Sequence, residues 1–162
     1  MGKKSLATLT AVALAFSLLA APFANAAEVT REAYKEQVEP ICKANVQANE
    51  KILKGVRSKV QQGKLKAAGT QFLQAANALH KAYVQLKAVP QPTADEARLD
   101  KWLGYVQEQE ILFRKGGNQL KAGNKNGAQQ TVIRLTRNAN QANNQVVPFE
   151  FKYCRFEPSK FT

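Results

Sequence analysis

Residues 34–60 read YKEQVEPICKANVQANEKILKGVRSKV, and the spacing of their apolar side chains decides the fold class. Apolar or small residues recur every three or four positions, which places them on one face of an α-helix. Pro40 lies within the stretch, so we expect it to kink the helix or to split off its first turns. The stretch therefore predicts an amphipathic helix whose inner face is formed by Tyr34, Val38, Ile41, Asn45, Ala48, Ile52, Val56 and Val60.

Three further stretches have the same helical spacing. The second runs from about Lys64 to Ala88, and Gly63 separates it from the first. The third follows a proline-containing break at residues 89–92, and the fourth follows a glycine- and asparagine-rich turn at residues 123–127. Four amphipathic helices joined by short connections predict an all-α, up-down-up-down four-helix bundle.

Local sequence signals predict further details of the third and fourth helices. Thr93 and Glu96 have the spacing of a capping box, so we expect the threonine to cap the third helix and the glutamate to reach back. Gly116 and Gly117 should weaken this helix near its end. In the polar run at residues 138–145 the alanines fall on the core side, so the amide side chains are expected mostly in solvent.

The first 26 residues have the layout of a secretory signal peptide. Lys3 and Lys4 precede a short apolar run, and residues 24–26 form a small-x-small cleavage site. The run is too short for a good membrane span, and no second hydrophobic stretch follows it. We therefore expect a leader at residues 1–26, a single domain at residues 27–162 without a transmembrane segment, and a secreted or cell-envelope location.

Cys42 and Cys154 are the chain's two cysteines, and an exported chain pairs two cysteines most simply with each other. Pro148 stops the fourth helix, and residues 147–154 in extended form are long enough to return to Cys42. The tail at residues 147–162 is therefore predicted to be an extended strap tied to the first helix by a disulfide.

The aromatic residues of the tail favour the same interpretation. Val147, Phe149, Phe151 and Tyr153 alternate with polar residues, as in an extended segment with one buried face. Only Phe156 and Phe161, beyond the cysteine, would then be free to contact a partner.

The residues needed for metal, haem or catalytic chemistry are scarce. The chain has one histidine, and its one methionine is Met1. No Cys-x-x-Cys-His, paired Glu-x-x-His, phosphate-binding loop or nucleophile elbow occurs. His80 is expected to lie at the edge of the apolar face of the second helix. We therefore expect no metal, no cofactor and no enzymatic activity.

Positive charge is concentrated in two stretches without acidic residues, residues 51–66 and 111–149. The net charge is +12, and removal of a leader containing Lys3 and Lys4 would lower it to +10. The first and third turns of an up-down bundle lie at the same end, so the two basic stretches should meet there. We call the residues expected there the basic pole: Lys51, Lys54, Arg57, Lys59, Lys64, Lys66, Arg114, Lys115, Lys121 and Lys125.

The basic pole suggests attraction to an anionic polymer or surface of the cell envelope. The helix dipole explains acidic residues at helix starts, but not lysines at the same positions. A basic surface without a specific ligand is the alternative. Nucleic acid is disfavoured, because the basic stretches lack interleaved aromatic residues and the sequence has no helix-turn-helix signature.

Two other functions stay open. The bundle interior could carry a small apolar ligand, for which a continuous cavity among Phe72, Tyr83, Trp102 and Phe113 would be the sign. Alternatively, the protein could be a structural or partner-binding component of the envelope, which would require an exposed apolar patch.

The chain also resembles small exported helical proteins of high-GC Gram-positive bacteria, which have no known activity. The matching residues are Tyr34, Ile41-Cys42-Lys43-Ala44-Asn45, Trp102-Leu103 and Phe151-Lys152-Tyr153-Cys154, and Pro40 departs from the pattern. The resemblance implies a helical fold with a disulfide and implies no function.

Overall fold

The computed structural model describes residues 28–157, and this part of the chain is helical without strands. The expected leader at residues 1–26 lies outside the described residues. Four long helices and one short helix follow one another, together with two single 3₁₀ turns at Thr93–Asp95 and Val147–Phe149. The helices are α1 (Arg31–Ile52), α2 (Val56–Gln61), α3 (Leu65–Lys87), α4 (Glu96–Lys121) and α5 (Lys125–Gln145).

The first predicted helix breaks at a different place from the one expected. Pro40 lies inside α1, which continues through it without interruption. Because Pro40 and Glu36 are exposed, water can satisfy the carbonyl group that the proline leaves without a donor. The break comes at Leu53–Gly55, where Gly55 adopts the left-handed conformation (φ 71°) that allows α2 to start at once.

The central pair of helices, α3 and α4, packs closely at two glycine residues. A Cβ atom on Gly69 would lie 2.6 Å from the carbonyl oxygen of Gly117, and one on Gly117 would lie 2.9 Å from the carbonyl oxygen of Gly69. Gly117 therefore has a packing role that its low helix propensity does not reveal. Helix α3 also packs against α1 and α2, and α4 also packs against α5.

The tail returns to α1 through a covalent bond and through hydrogen bonds from two backbone N–H groups. Cys42 and Cys154 form the predicted disulfide. The carboxylate of Glu39, one helical turn before Cys42, accepts hydrogen bonds from the backbone N–H groups of Lys152 (2.7 Å) and Tyr153 (3.0 and 3.2 Å). The predicted disulfide link between the tail and α1 is therefore confirmed, but the tail is not extended throughout, because Glu150 adopts a left-handed conformation (φ 50°) and residues 152–155 form bends.

Aromatic side chains of the tail fill the interior beside the disulfide. Phe149 and Phe151 are buried, and both rings pack against Tyr34. Phe151 also contacts Trp102 of α4, with 5.8 Å between ring centroids. Burial raises the pKa of the Tyr34 hydroxyl above its usual range, and the negative charge of Asp100 raises it further.

Two expectations about the tail are wrong. Val147 is exposed, because residues 147–149 form a 3₁₀ turn instead of an extended segment. Phe156 is not free to contact a partner: it packs partly buried against the core, and its backbone N–H and C=O groups both bond to the side chain of Asn143 (2.8 Å each). Phe161 lies outside the described residues.

The start of α4 is held by an ion pair and not by the expected capping box. Residues Thr93–Asp95 form a 3₁₀ turn, and Asp95 precedes the helix without making a side-chain cap. The buried carboxylate of Asp95 instead accepts two hydrogen bonds from Arg31 at the start of α1, at 2.6 and 2.8 Å. The hydrogen bonds from Arg31 hold the pKa of Asp95 below its usual value.

Among the helices of residues 28–157, none combines the length and the apolar character needed to cross a membrane.

The glycine contact between α3 and α4 leads to the first prediction. Gly69→Ala should lower the free energy of unfolding by about 1–3 kcal/mol, because its methyl group meets the backbone of Gly117. Gly104→Ala is the matched control: the site is inside α4 with open space around it, and alanine there should stabilise by about 0.5–1 kcal/mol. Urea denaturation measures both values. Equal stability of Gly69→Ala and the wild type would contradict the close contact.

The ion pair between Arg31 and Asp95 leads to a prediction about pH. The pKa of Asp95 is lower in the folded than in the unfolded chain, so its stabilising contribution is present above the ordinary value of 3.8. This contribution is lost as the pH falls through the folded pKa. Asp95→Asn should therefore destabilise the protein at pH 7, and its stability difference from the wild type should shrink at pH 3.

The matched control for this measurement is Glu96→Gln, which changes the exposed first residue of α4, next to Asp95. Chemical denaturation at both pH values should show little change for this variant. A deficit of Asp95→Asn that is as large at pH 3 as at pH 7 would refute the role given to the charged carboxylate.

Candidate anion-binding site

Two glycine turns build the end of the molecule where the basic pole is expected. Gly63 after α2 and Gly123 after α4 both adopt the left-handed conformation, with φ of 73° and 77°. Their N–H groups bond to the carbonyl groups of Val60 and Leu120 and end the preceding helices. The next helix starts within two residues in each case, so Lys64 and Lys125 lie at helix starts.

Lysines from the two basic stretches line one surface depression. Lys64 and Lys66 come from the start of α3, and Lys121 is the last residue of α4. All three side chains are exposed. The two basic stretches therefore meet in space, although more than fifty residues of sequence separate Lys66 from Lys121.

An apolar groove of about 350 Å³ lies next to this depression, and Leu120 lines both. Arg57 of α2 and Lys125 of α5 stand among the residues that line the groove. Its apolar wall consists of Val56, Val60, Phe72, Leu120, Ala128 and Val132. Five members of the basic pole thus border two adjacent depressions.

Four further members of the basic pole line neither depression. Lys51 lies in the last turn of α1, and Lys54 lies in the loop before α2. Lys59 is half-buried in α2, and Lys115 is exposed on α4. They do not form the walls of either depression.

Arg114 is the tenth member of the basic pole, and it forms an ion pair with a carboxylate. Its Nε donates a hydrogen bond to Oε1 of the buried carboxylate of Glu110 (2.9 Å). The other oxygen of Glu110 lies 2.9 Å from Nδ1 of His80. The spacing of four residues between Glu110 and Arg114 is a signal that sequence reasoning could have used, whereas nothing local indicates the contact with His80.

No group of three or more histidine, cysteine, aspartate or glutamate residues within the described range 28–157 could hold a metal ion. His80, the one histidine of the chain, contacts Glu110 between α3 and α4 at 2.9 Å.

The four aromatic residues expected around a carrier cavity do not surround one space. Phe72 and Phe113 pack against each other, with 5.5 Å between ring centroids. Phe72 lines the groove at the basic pole, whereas Trp102 lines a separate cavity beside the tail. The carrier hypothesis therefore gains no support at the place where the sequence suggested it.

Large exposed apolar side chains within residues 28–157 are spread over different elements. They are Val84 on α3, Ile111 on α4, Ile133 on α5 and Val147 in the last 3₁₀ turn. Exposed apolar side chains in this number are normal on folded domains. They give no specific support to the hypothesis of a structural or partner-binding protein.

Comparison with known proteins adds no assignment: no protein family, curated protein or solved structure matches this chain.

Proposed function

We propose that this protein is an exported, non-enzymatic helical protein that binds an anionic polymer or surface of the cell envelope through its basic pole. The observation that carries the proposal is the meeting of Lys64, Lys66 and Lys121 around one depression. Cations gathered from distant parts of a chain raise the local concentration of an anionic partner and speed its association.

Three lysines of the basic pole lie at helix starts, and this position supports a binding role over a purely structural one. Lys64 immediately precedes α3, Lys66 is in its first turn, and Lys125 begins α5. Positive side chains at helix starts are disfavoured by the helix dipole, and neither helix has an acidic residue in its first turn. A fold selected for stability alone would place acidic side chains there, so the lysines are better explained by an anionic ligand.

The proposal includes the up-down-up-down arrangement of the four long helices, which puts both glycine turns at one end. The order of contacts supports it: Gly69 lies beside Gly117, and His80, further along α3, contacts Glu110, earlier in α4. Between α4 and α5, Gln119 bonds to Thr131, whereas the earlier Gln109 bonds to the later Asn138. Contacts in this order are those of neighbours that run in opposite directions.

Export to the envelope is supported by the cysteines and the leader-like sequence. The disulfide between Cys42 and Cys154 is compatible with an oxidising compartment outside the cytosol. In such a place a basic protein meets anionic envelope components at high local density.

The experiment measures retention on isolated envelopes and on immobilised inorganic polyphosphate between 0.02 and about 0.3 M salt, a range in which screening grows strongly. The variant Lys64→Gln/Lys66→Gln/Lys121→Gln should bind more weakly than the wild type, by on the order of a hundredfold at about 0.15 M salt if each lysine contributes about 1 kcal/mol. Its binding should also depend less on salt.

The matched control is Lys81→Gln/Lys87→Gln/Lys101→Gln, which removes the same charge from exposed positions outside the two depressions. This variant should bind almost as well as the wild type, and circular dichroism should show that both variants are folded. Equal loss in the two triple variants would show that only net charge matters. Retention that does not weaken with salt would contradict electrostatic binding altogether.

A further inference from the structure

The apolar groove beside the basic pole lies between two helices that each pack on a different neighbour. Helix α2 forms one wall and the first two turns of α5 form the other. Helix α2 packs against α3, whereas α5 packs against α4. Between the two walls lie the buried side chains of Phe72 from α3 and Leu120 from α4, which form the floor. The groove is therefore a gap between α2 and α5 with an apolar floor.

Each wall of the groove has an apolar row and a polar row. Val56 and Val60 of α2 are four residues apart, as are Ala128 and Val132 of α5, so each pair lies on one helix face. All four are buried or half-buried. The polar rows have the same spacing and are exposed, and they consist of Arg57 and Gln61 on α2 and of Lys125 and Gln129 on α5. The groove therefore has an apolar interior and a polar rim.

The rim carries positive charge and no negative charge. Arg57 and Lys125 are its charged residues, and the adjoining depression adds Lys64, Lys66 and Lys121. No acidic residue lines either space. Lysine and arginine side chains can lay their aliphatic stems along an apolar surface while the charged end stays in water. The rim is thus complementary to an anion, and the interior is complementary to an apolar chain.

The charged depression and the apolar groove meet at one turn. Leu120 lines both spaces, Lys121 lines the depression, and Lys125 lines the groove on the other side of the Gly123 turn. A small inorganic anion bound here would leave the apolar groove in contact with water. An uncharged apolar molecule would leave the positive charges unmatched. A molecule that uses both parts of this surface has an anionic head group attached directly to an apolar tail.

The size of the groove favours a single hydrocarbon chain as the apolar part. Its volume of about 350 Å³ is in the range of sites for small molecules. The wall formed by α2 has six residues, which corresponds to about 9 Å. A peptide helix is about 10–12 Å across with its side chains, so about 9 Å of it occupies roughly twice the volume of the groove. An acyl chain is narrower and fits the space better.

We propose that the groove and the adjoining lysines form a binding site for a single-chain anionic amphiphile, with its acyl chain in the groove and its head group at Lys121 and Lys125. This inference rests on the proposed function, because the basic pole holds the head group. It narrows the anionic partner to one that carries an acyl chain.

The experiment measures binding of three probes to the disulfide-bonded protein by isothermal titration calorimetry, below the concentrations at which they form micelles. Decyl phosphate should bind at least about tenfold more tightly than butyl phosphate, since burial of about two CH₂ groups already gives this change. It should also bind at least about tenfold more tightly than decyltrimethylammonium, whose head group the lysines repel. Equal affinities in either comparison would overturn the proposal.

Variants of two neighbouring residues of α5 locate the acyl chain. Val132→Gln places an amide in the apolar row and should weaken binding of decyl phosphate severalfold, with little change for butyl phosphate. Ile133→Gln is the matched control, because Ile133 is exposed and does not line the groove, and it should bind like the wild type. If Val132→Gln does not fold, Val60→Gln tests the same apolar interior from α2. Unchanged binding of decyl phosphate to the folded groove variant would show that the chain lies elsewhere.

A lysine variant tests the position of the head group. Lys125→Gln should weaken binding of decyl phosphate and butyl phosphate alike, by about fivefold. Lys87→Gln, which removes an exposed charge outside both spaces, should leave both affinities unchanged. Equal effects of the two variants would contradict the head-group position.

The two proposals fail separately, because polyphosphate has no acyl chain. Salt-dependent retention on polyphosphate, together with equal affinities for decyl and butyl phosphate, would overturn the amphiphile site and leave the basic pole standing. Retention on polyphosphate that depends neither on salt nor on Lys64, Lys66 and Lys121 would overturn the proposed function itself.

Discussion

The covalent bond between Cys42 and Cys154 is the constraint on which one half of the molecule depends. The two residues are 112 positions apart, and closing a loop of this size stabilises a fold by about 4–5 kcal/mol in the chain-entropy description. The bond brings Phe149 and Phe151 against Tyr34, and it brings residues 152–157 over the cavity beside Trp102. Without it, the aromatic interior of this half would lack one side.

The two ends of the molecule are built on different principles. At the end where α1 and α4 start, a buried carboxylate is matched by Arg31, and aromatic rings fill the space. At the other end, glycine turns hold exposed lysines close together, and Lys64 and Lys66 lie at a helix start, where the helix dipole disfavours positive charge. The first arrangement favours stability, whereas the positions of these two lysines oppose it. This asymmetry is the reason why we propose the basic pole, and not the opposite end, as the anion-binding site.

Most of the fold could be predicted from the periodicity of apolar residues and from turn residues, because these signals are local in the sequence. The four long helices and the turns at Gly63 and Gly123 were predictable in this way, and the pairing of Cys42 with Cys154 was predictable because the chain has two cysteines. Features that depend on contacts across the structure were not. Asn138 belongs to a run whose amides were expected mostly in solvent, yet it is buried and bonds to Gln109 (2.6 Å) and to the carbonyl group of Tyr105 (2.8 Å).

The same distinction applies to the candidate sites. The meeting of Lys66 and Lys121 follows from helix order and was expected. The ion pair between Arg114 and Glu110 could have been predicted from their spacing of four residues. The cavity at Trp102 could not, because the tail, α1, α3 and α4 each supply part of its wall. Likewise, the ion pair of Asp95 could not be predicted, because its partner, Arg31, is 64 positions away in sequence.

The position of the cysteines also sets the order of events when the chain is made. Cys42 leaves the ribosome 112 residues before Cys154, which corresponds to roughly 6–22 s at about 5–20 residues per second. During this interval its thiol has no partner within the chain, and another nascent copy offers the same reactive group. The disulfide can therefore close only after Cys154 has been made, when the residues of all five helices have already been synthesised.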